Sequence, residues 1–251
     1  MSSRGVFDRY NIFSPSGQLF QVEYAFKAVK HSALTSVGVR GKDCVVMVTQ
    51  KKVPDKLLDP ASVTNMFRIT RRVGSCVTGS NPDAQLQTLL LQQRAAEFRQ
   101  QNGYGIPVDH LASKLGDFQQ YFTQTMYMRL PAVVNMLAGM DDEKGPLLYK
   151  VDPAGHFVGY HATAAGAKEQ EASNFLEKQL KERGDEHTPG GALSFDDAMA
   201  TAILCLQHVV GSDLKPTDFE VLVCTADEPE VKILSVDDID QRLQMLSDAM
   251  D

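Results

Sequence analysis

The sequence feature that most constrains the fold is residues 44–49, a segment that is apolar almost without alternation. A strand covered on both faces has this pattern, whereas a strand with one face in water alternates polar and apolar residues. The whole chain predicts strands, two helices, strands, two helices, strands and a final helix. Doubly covered strands with helix pairs between them indicate two stacked sheets flanked by helical layers. Because no repeat or linker interrupts this order, the sequence predicts one domain over residues 1–251.

Hydrophobic periodicity and turn residues predict the individual elements. The predicted strands are residues 35–40, 44–49, 66–70, 75–78, 132–139, 147–152, 156–163, 219–225 and 231–234. The predicted helices are an N-terminal one whose apolar face runs to about residue 29, then residues 81–101, 108–130, and three that start near residues 168, 195 and 237. Residues 184–193 form a polar segment and are predicted to be a surface loop.

Two helix starts are predicted from capping residues. Asn81, Pro82 and Asp83 are expected to act as a capping side chain, a proline at the first helical position and an acid near the positive end of the helix dipole. Ser194, with Asp197 three residues later, predicts a cap for the helix that follows.

Composition excludes several classes of function. The formal net charge of −7 argues against nucleic acid as a partner. No run approaches the roughly 18–20 consecutive apolar residues of a membrane span, and the first residues lack the apolar core of a secretory signal. The four cysteines form no C-x-x-C pair and each lies in an apolar segment, so we expect buried free thiols in a reducing compartment.

A search for catalytic or metal-binding motifs finds none. The chain has no G-x-x-x-x-G-K-[ST] phosphate loop and no G-x-S-x-G nucleophile turn. The six histidines are dispersed, and His156 and His161, five apart in one predicted strand, are expected to face opposite sides. A cation site at residues 141–143 is an alternative to the acidic turn that we favour. The sequence therefore predicts no metal site and no cofactor.

The N-terminal segment carries the most specific motif. Pro15 and Gly17 predict a turn before the first helix. The pattern Phe13-Ser14-Pro15-x-Gly17-x-x-x-Gln21-Val22-Glu23-Tyr24-Ala25 is similar to the N-terminal signature of proteasome α-type subunits, and Asp8-Arg9 resembles the gating element that precedes it in that family. Residues 26–29 and 48–59 look most like the α1 type, also called α type-6.

The sequence departs from the family pattern at two places. Three residues, Tyr10 to Ile12, separate Asp8-Arg9 from Phe13, where the family usually has four. Gln18 stands where a basic residue is typical. Both departures lie next to the residues that the resemblance assigns to gating.

The resemblance implies a fold and a division of the chain. It implies an α+β fold, a four-layer αββα sandwich of two antiparallel sheets flanked by helices, as in N-terminal-nucleophile hydrolases. Residues 1–12 would be a gating tail, residues 13–31 the signature turn and helix, and residues 32–251 the sandwich. The gating residues implied are Phe7, Asp8, Arg9, Pro15 and Tyr24, of which Asp8, Pro15 and Tyr24 would form a cluster between neighbouring subunits that stabilises the open gate.

The resemblance also implies function and partners. The chain would be a noncatalytic subunit of the outer, seven-membered α ring of the 20S proteasome, in the cytoplasm and nucleus. Its partners would be other α subunits, β subunits and a regulatory particle or activator, with no nucleic acid and no membrane. It would control substrate access during ubiquitin-dependent and ubiquitin-independent protein degradation.

Absence of catalysis is inferred from three positions. An N-terminal threonine hydrolase needs a free α-amine on its nucleophile, an acid and a lysine. Thr35 follows 34 residues, and on the family register Gln50 stands in place of the acid and Asn65 in place of the lysine. Many α subunits carry at the position of Asn65 a lysine that pairs with an activator's C-terminal carboxylate, so a pocket bordered by Asn65 is expected to bind activators weakly.

Three alternatives stay open at this point. One is an active hydrolase in which cleavage exposes Thr35. Another is a free-standing interaction module unrelated to proteolysis. A third concerns Lys51, Lys52 and Lys56, which either supply local positive potential or form a solvated surface.

Overall fold

The computed structural model describes residues 4–183, 193–211 and 214–248. The helices are α1 (Arg4–Phe7), α2 (Phe20–His31), α3 (Asn81–Asn102), α4 (Val108–Gln124), α5 (Glu169–Arg183), α6 (Phe195–Val210) and α7 (Val236–Asp248). The strands are β1 (Thr35–Arg40), β2 (Cys44–Gln50), β3 (Met66–Arg68), β4 (Val73–Gly79), β5 (Val133–Asp141), β6 (Gly145–Val151), β7 (Phe157–Gly159), β8 (Ala162–Gly166), β9 (Phe219–Thr225) and β10 (Lys232–Ile233). No described helix has the length and apolar character needed to span a bilayer.

The strands form two antiparallel five-stranded sheets. The first has the order β10-β9-β2-β1-β8 and the second the order β3-β4-β5-β6-β7. Helices α5 and α6 cover the outer face of the first sheet, and α3 and α4 cover that of the second. The predicted four-layer αββα sandwich is therefore confirmed.

The two sheets meet at close range through small and apolar residues. Val45, Met47, Met136 and Leu222 are among the fully buried side chains of this layer. At Gly74 a Cβ atom would lie 2.7 Å from the Leu222 side chain and 2.9 Å from that of Val231, so a larger residue would force these side chains to move. Tight packing of this kind explains why β2 is apolar on both faces, since one face meets the other sheet and the opposite face meets α6.

A buried polar chain also links the sheets, and the cysteines lie near it or in the apolar layers. Ser36 Oγ is 2.6 Å from Thr49 Oγ1 and 2.7 Å from Thr78 Oγ1, and all three residues are buried. Cys44, Cys76, Cys205 and Cys224 are buried free thiols, as predicted. Burial raises the pKa of Cys76 to about 12, so this thiol stays protonated and unreactive.

The predicted strand over residues 156–163 is wrong, because the chain changes sheets within it. Tyr160 N–H donates to the carbonyl of Leu148 in the second sheet, at 2.8 Å. Already at the next residue, the His161 carbonyl accepts from Arg40 N–H in the first sheet, also at 2.8 Å. His156 and His161 therefore do not share a strand, and their predicted placement on opposite faces of one strand is also wrong.

The predicted start of α3 is wrong in its capping residue. Ser80, with extended backbone, occupies the N-cap position, and Asn81 is already helical and exposed. Asp83 lies in the first turn as predicted, and its carboxylate also accepts from Arg129 and from Ala132 N–H. By contrast, Ser194 Oγ accepts from Asp197 N–H at 3.2 Å and caps α6 as predicted.

Other boundaries differ by a few residues. α4 ends at Gln124, before the predicted residue 130, because the chain turns at Thr125 and Met128. β3 and β10 are shorter than predicted. Residues 184–192 of the predicted polar loop lie outside the described residues, and Leu193 beside them is buried.

Candidate functional site

The N-terminal arm, residues 4–19, begins the site with a compact turn. Gly17 N–H donates to the Ser14 carbonyl at 2.8 Å, and Ser14 N–H donates to the Gln18 carbonyl at 2.9 Å. Gly17 has φ +76°, a left-handed conformation that strongly favours glycine. Pro15 is exposed at the tip of this turn. The turn predicted from Pro15 and Gly17 is confirmed, and it directs the chain into α2.

Helix α2 holds the arm through two side chains on one face. The Tyr24 hydroxyl donates to Asp8 Oδ1 at 3.0 Å, and Gln21 Nε2 donates to the Asp8 carbonyl. The hydrogen bond from the Tyr24 hydroxyl to the Asp8 carboxylate raises the pKa of Tyr24, so the phenol stays protonated and able to donate. The Tyr24 ring also stacks on Phe20, with centroids 6.4 Å apart.

The structure thus brings together part of the predicted gating set. Asp8 and Tyr24 are in contact across 16 residues of sequence. Phe7 is half-buried at the end of α1, whereas Arg9 and Pro15 are exposed. The gating role of all five residues stays a prediction, because it concerns what the arm does in an assembly.

Sequence reasoning missed the most deeply held residue of the arm, Asn11. Its side chain is buried, and Nδ2 lies 2.9 Å from the Phe122 carbonyl, 2.9 Å from that of Thr125 and 2.7 Å from that of Met128. Beside it, Tyr10 packs edge-on against Tyr127, with centroids 5.5 Å apart. No local pattern signals these contacts, because the partners of Asn11 are 111 to 117 residues away.

At the position of a hydrolase nucleophile, Thr35 is buried at the start of β1. Its backbone N–H donates to Gln50 Oε1 at 2.9 Å, and its Oγ1 accepts from Lys168 N–H at 3.4 Å. A peptide nitrogen has no free lone pair to serve as a base, and the Gln50 amide cannot take up a proton as a carboxylate would. The described geometry at Thr35 is that of a strand terminus.

Asn65 lies in the segment before β3 and is 5% exposed in the single chain. Its backbone N–H donates to Glu220 Oε2 at 3.1 Å. Glu220 also accepts from Thr64 Oγ1 at 3.0 Å and pairs with Lys51 Nζ at 3.2 Å. Sequence reasoning missed Glu220, which holds this segment in place. The role of Asn65 in an activator pocket stays a prediction.

The three nearby lysines are not equivalent. Lys51 is paired with Glu220, and Lys52 Nζ donates to the Ala33 carbonyl at 2.7 Å. Lys56 is exposed. The idea of a shared positive patch is therefore weakened, since the charge of Lys51 is largely offset by a buried carboxylate.

The acidic segment 141–143 is organised as a turn. Asp141 Oδ1 accepts from the backbone N–H groups of Glu143 and Lys144, at 3.0 and 2.9 Å, and Asp142 pairs with Arg72. Across the described ranges no group of three or more histidine, cysteine, aspartate or glutamate side chains is arranged to hold a metal ion.

Comparison with known families matches both parts of this geometry. Residues 7–28, which contain the turn and the Asp8–Tyr24 contact, match the N-terminal signature of the α (A-type) proteasome subunits. Residues 29–224, which contain both sheets, match the proteasome subunit family. The chain belongs to the proteasome α-subunit family.

Its relatives extend over nearly the full length. This α-type chain is 43% identical to the probable proteasome alpha type-1 subunit of Schizosaccharomyces pombe, over 99% of each chain. It is 40% identical to the proteasome alpha type-6 subunit of Caenorhabditis elegans, over 98% of this chain and 97% of that one. It is also 40% identical to the proteasome alpha type-1 subunit of Trypanosoma brucei brucei, over 90% and 85%. The resemblance inferred from the sequence is therefore confirmed.

Proposed function

We propose that this α subunit is a noncatalytic member of the outer ring of the 20S proteasome and that its arm helps to control substrate access. The observation that carries the proposal is the arm itself. Residues matching the α-type signature form an ordered turn, and Tyr24 and Gln21 on α2 hold Asp8 above it. An ordered turn that anchors the segment preceding it is suited to a gate in which that segment occludes or opens a passage.

The noncatalytic part rests on the surroundings of Thr35. Its nitrogen is engaged as an amide with Gln50, and neither an acid nor a lysine stands at the positions that the family register gives them. We expect the pure chain to hydrolyse no fluorogenic peptide. Turnover that a threonine-directed inhibitor blocks, after cleavage before Thr35, would instead favour the active-hydrolase alternative.

The partners follow from ring membership. The subunit would contact neighbouring α subunits, β subunits and a docking activator or regulatory particle. It would act in the cytoplasm and nucleus, in ubiquitin-dependent and ubiquitin-independent degradation. Asn65 supplies no charge for an activator's terminal carboxylate, so docking at this subunit is expected to be weak. Native mass spectrometry of the endogenous complex tests ring membership, since a free-standing module would appear as a monomer.

Deletion of residues 1–12 tests the access role. Particles that contain the truncated subunit should assemble normally and show a several-fold higher basal rate of peptide hydrolysis, because the passage opens while the remote catalytic sites do not change. An active-site probe and native electrophoresis control for particle number. An unchanged basal rate in fully assembled particles would contradict the proposed role of the arm.

A further inference from the structure

The environment of Asn11 is built by the chain that follows α4. We call residues 125–128, which follow the last helical residue of α4, the terminal segment of α4. Thr125 N–H donates to the Phe122 carbonyl, and Met128 N–H donates to the Thr125 carbonyl, both at 3.3 Å. These consecutive turns bring three carbonyl oxygens to one point, where Asn11 Nδ2 meets them at 2.7–2.9 Å.

The Asn11 contact is much harder to exchange with water than the Asp8 contact. Asn11 is 7% exposed, and from this buried position it makes three short contacts at once. Moving it would leave the Phe122 and Thr125 carbonyls with only their 3.3 Å backbone donors and would remove the donor to the Met128 carbonyl. Tyr24, the donor to Asp8, is 38% exposed, and water competes for that hydrogen bond. The Asn11 attachment is therefore buried, whereas the side-chain hydrogen bond to Asp8 is exposed.

We propose that Asn11 is the point at which the arm is fixed to the body of the subunit, and that residues 4–9 change position about this point. Asn11 is then a positioning residue for the gate, and this consequence rests on the proposed function. The Tyr10–Tyr127 contact adds a second link to the same segment. The attachment also holds the terminal segment of α4 in place, because each hydrogen bond orders both of its partners.

Hydrogen exchange of the full chain tests the attachment directly. Asn11→Asp keeps the shape of the side chain but replaces the donor by an oxygen that faces three carbonyl oxygens. We expect exchange at residues 8–14 and at residues 125–128 to accelerate at least about tenfold, with the sheets unchanged. Asn11→Ala, which adds no charge, should give a smaller increase in the same two segments. Asn81→Asp, at an exposed position, is the matched control and should exchange like the wild type.

The alternatives give different patterns. If Asn11 served packing alone, the isosteric Asn11→Asp would exchange like the wild type and only Asn11→Ala would accelerate. An increase confined to the arm, with residues 125–128 unaffected, would show that the carbonyl contacts do not hold the segment. Either result overturns the proposal.

Assembled particles separate this inference from the proposed function. With both correct, Asn11→Asp raises the basal rate and leaves the activator-stimulated maximum unchanged, whereas a general loss of structure would lower both. If exchange accelerates but neither Asn11→Asp nor deletion of residues 1–12 changes the basal rate, the attachment stands and the access role fails. If deletion raises the basal rate while exchange in Asn11→Asp is unchanged, the access role stands and the attachment is overturned.

Discussion

Tyr24 makes two contacts that mutation can separate. Its hydroxyl donates to Asp8 Oδ1, and its ring stacks on Phe20. A gating residue would act through the hydroxyl, since the position of Asp8 depends on it. A residue that only packs under the arm would act through the ring.

The pair Tyr24→Phe and Tyr24→Ala distinguishes these roles. Tyr24→Phe should leave the ring assembly intact and reduce stimulation by an added activator roughly two- to fivefold, because one exposed hydrogen bond is lost. Tyr24→Ala should show the same defect and, if the aromatic ring of Tyr24 also packs under the arm, should impair assembly of the particle. Peptide hydrolysis with and without activator measures the first effect, and native electrophoresis the second. A Tyr24→Phe particle that responds like the wild type would exclude the hydroxyl from gating.

Asp83, the predicted acid in the first turn of α3, also forms an ion pair with Arg129. Both of its carboxylate oxygens meet the Arg129 guanidinium, at 2.7 and 2.6 Å, and one also accepts from Ala132 N–H at 2.8 Å. The guanidinium is the main cause that lowers the pKa of Asp83. The Asp83 side chain is 7% exposed and the Arg129 side chain 66%, so a buried carboxylate and an exposed guanidinium join the start of α3 to the segment before β5.

Asp83→Asn should lower the free energy of unfolding near pH 7 by about 1–3 kcal/mol, because a charge-assisted pair is lost. A carboxyl whose pKa is lowered by folding stabilises the fold above its unfolded pKa of about 3.9, and loses that effect as pH falls through its folded pKa. The difference between wild type and variant should therefore shrink below about pH 4. Urea unfolding from pH 7 to pH 3 measures it. Asp142→Asn, which breaks the exposed pair with Arg72, is the control and should change little at any pH.

Among the elements, the turn at residues 14–18 links the arm to α2, and its geometry depends on one glycine. Gly17 has φ +76°, and a Cβ atom placed there would touch nothing within 4 Å. A substitution at this position therefore introduces backbone strain without a steric clash.

Gly17→Ala should destabilise the turn by about 1–2 kcal/mol, the cost of a left-handed conformation for an L-residue. Exchange at residues 14–18 should accelerate, and the basal hydrolysis of assembled particles should rise. Gly5→Ala is the matched control, because Gly5 lies in α1 without a positive φ and also has open space around it. Equal hydrogen exchange at residues 14–18 in the two variants would show that alanine adopts the positive φ at position 17 without a measurable cost.

At the scale of the whole molecule, α3 presents apolar side chains to solvent in the single chain. Leu86 and Leu89, one turn apart, are 53% and 64% exposed, whereas Leu91 and Ala95 are buried against the second sheet. Exposed leucines on the outer face of a helix are typical of a surface that another subunit covers. Ring membership gives this face a partner within the proposed assembly.

The double variant Leu86→Glu/Leu89→Glu should fold normally but enter assembled particles at least about tenfold less efficiently. Burial of each leucine at an interface would contribute about 1.5–3 kcal/mol, and the glutamates would lose that contribution. Gln100→Glu, an exposed change on the same helix, is the control and should assemble like the wild type. Competition between tagged variant and wild-type chains, read from purified particles, measures the ratio. Equal incorporation would show that this face is not an interface.

Local pattern predicted the elements well where the cause is local. The strand over residues 219–225 has the predicted bounds and the helix capped by Ser194 has the predicted start, because strand patterning and capping act within a few residues. The change of sheet between Tyr160 and His161 was not predicted, because the hydrophobic pattern of a segment does not specify which sheet it joins.

The site follows the same division. The turn at Gly17 was predictable from residue type. The family resemblance singled out Asp8 and Tyr24 for a cluster between neighbouring subunits, and their hydrogen bond within one chain was not predicted. The partners of Asn11, Asp83 and Glu220 were not predictable. Each of these side chains contacts residues between 46 and 169 positions away, and their residue types alone are equally suited to a solvated surface.

The strand order of the first sheet has a consequence for how the protein is made. The hairpin of β1 and β2 lies inside the first sheet, between β8 and β9, yet it leaves the ribosome first. Its two open edges are paired only after residues 162–166 and then residues 219–225 have been synthesised. While residues 50 to 162 are being synthesised, a hairpin with a largely apolar β2 strand therefore exposes unpaired backbone on both sides, a form prone to aggregate. Nascent chains stopped between residues 50 and 162 are the ones that should depend most on a holding chaperone.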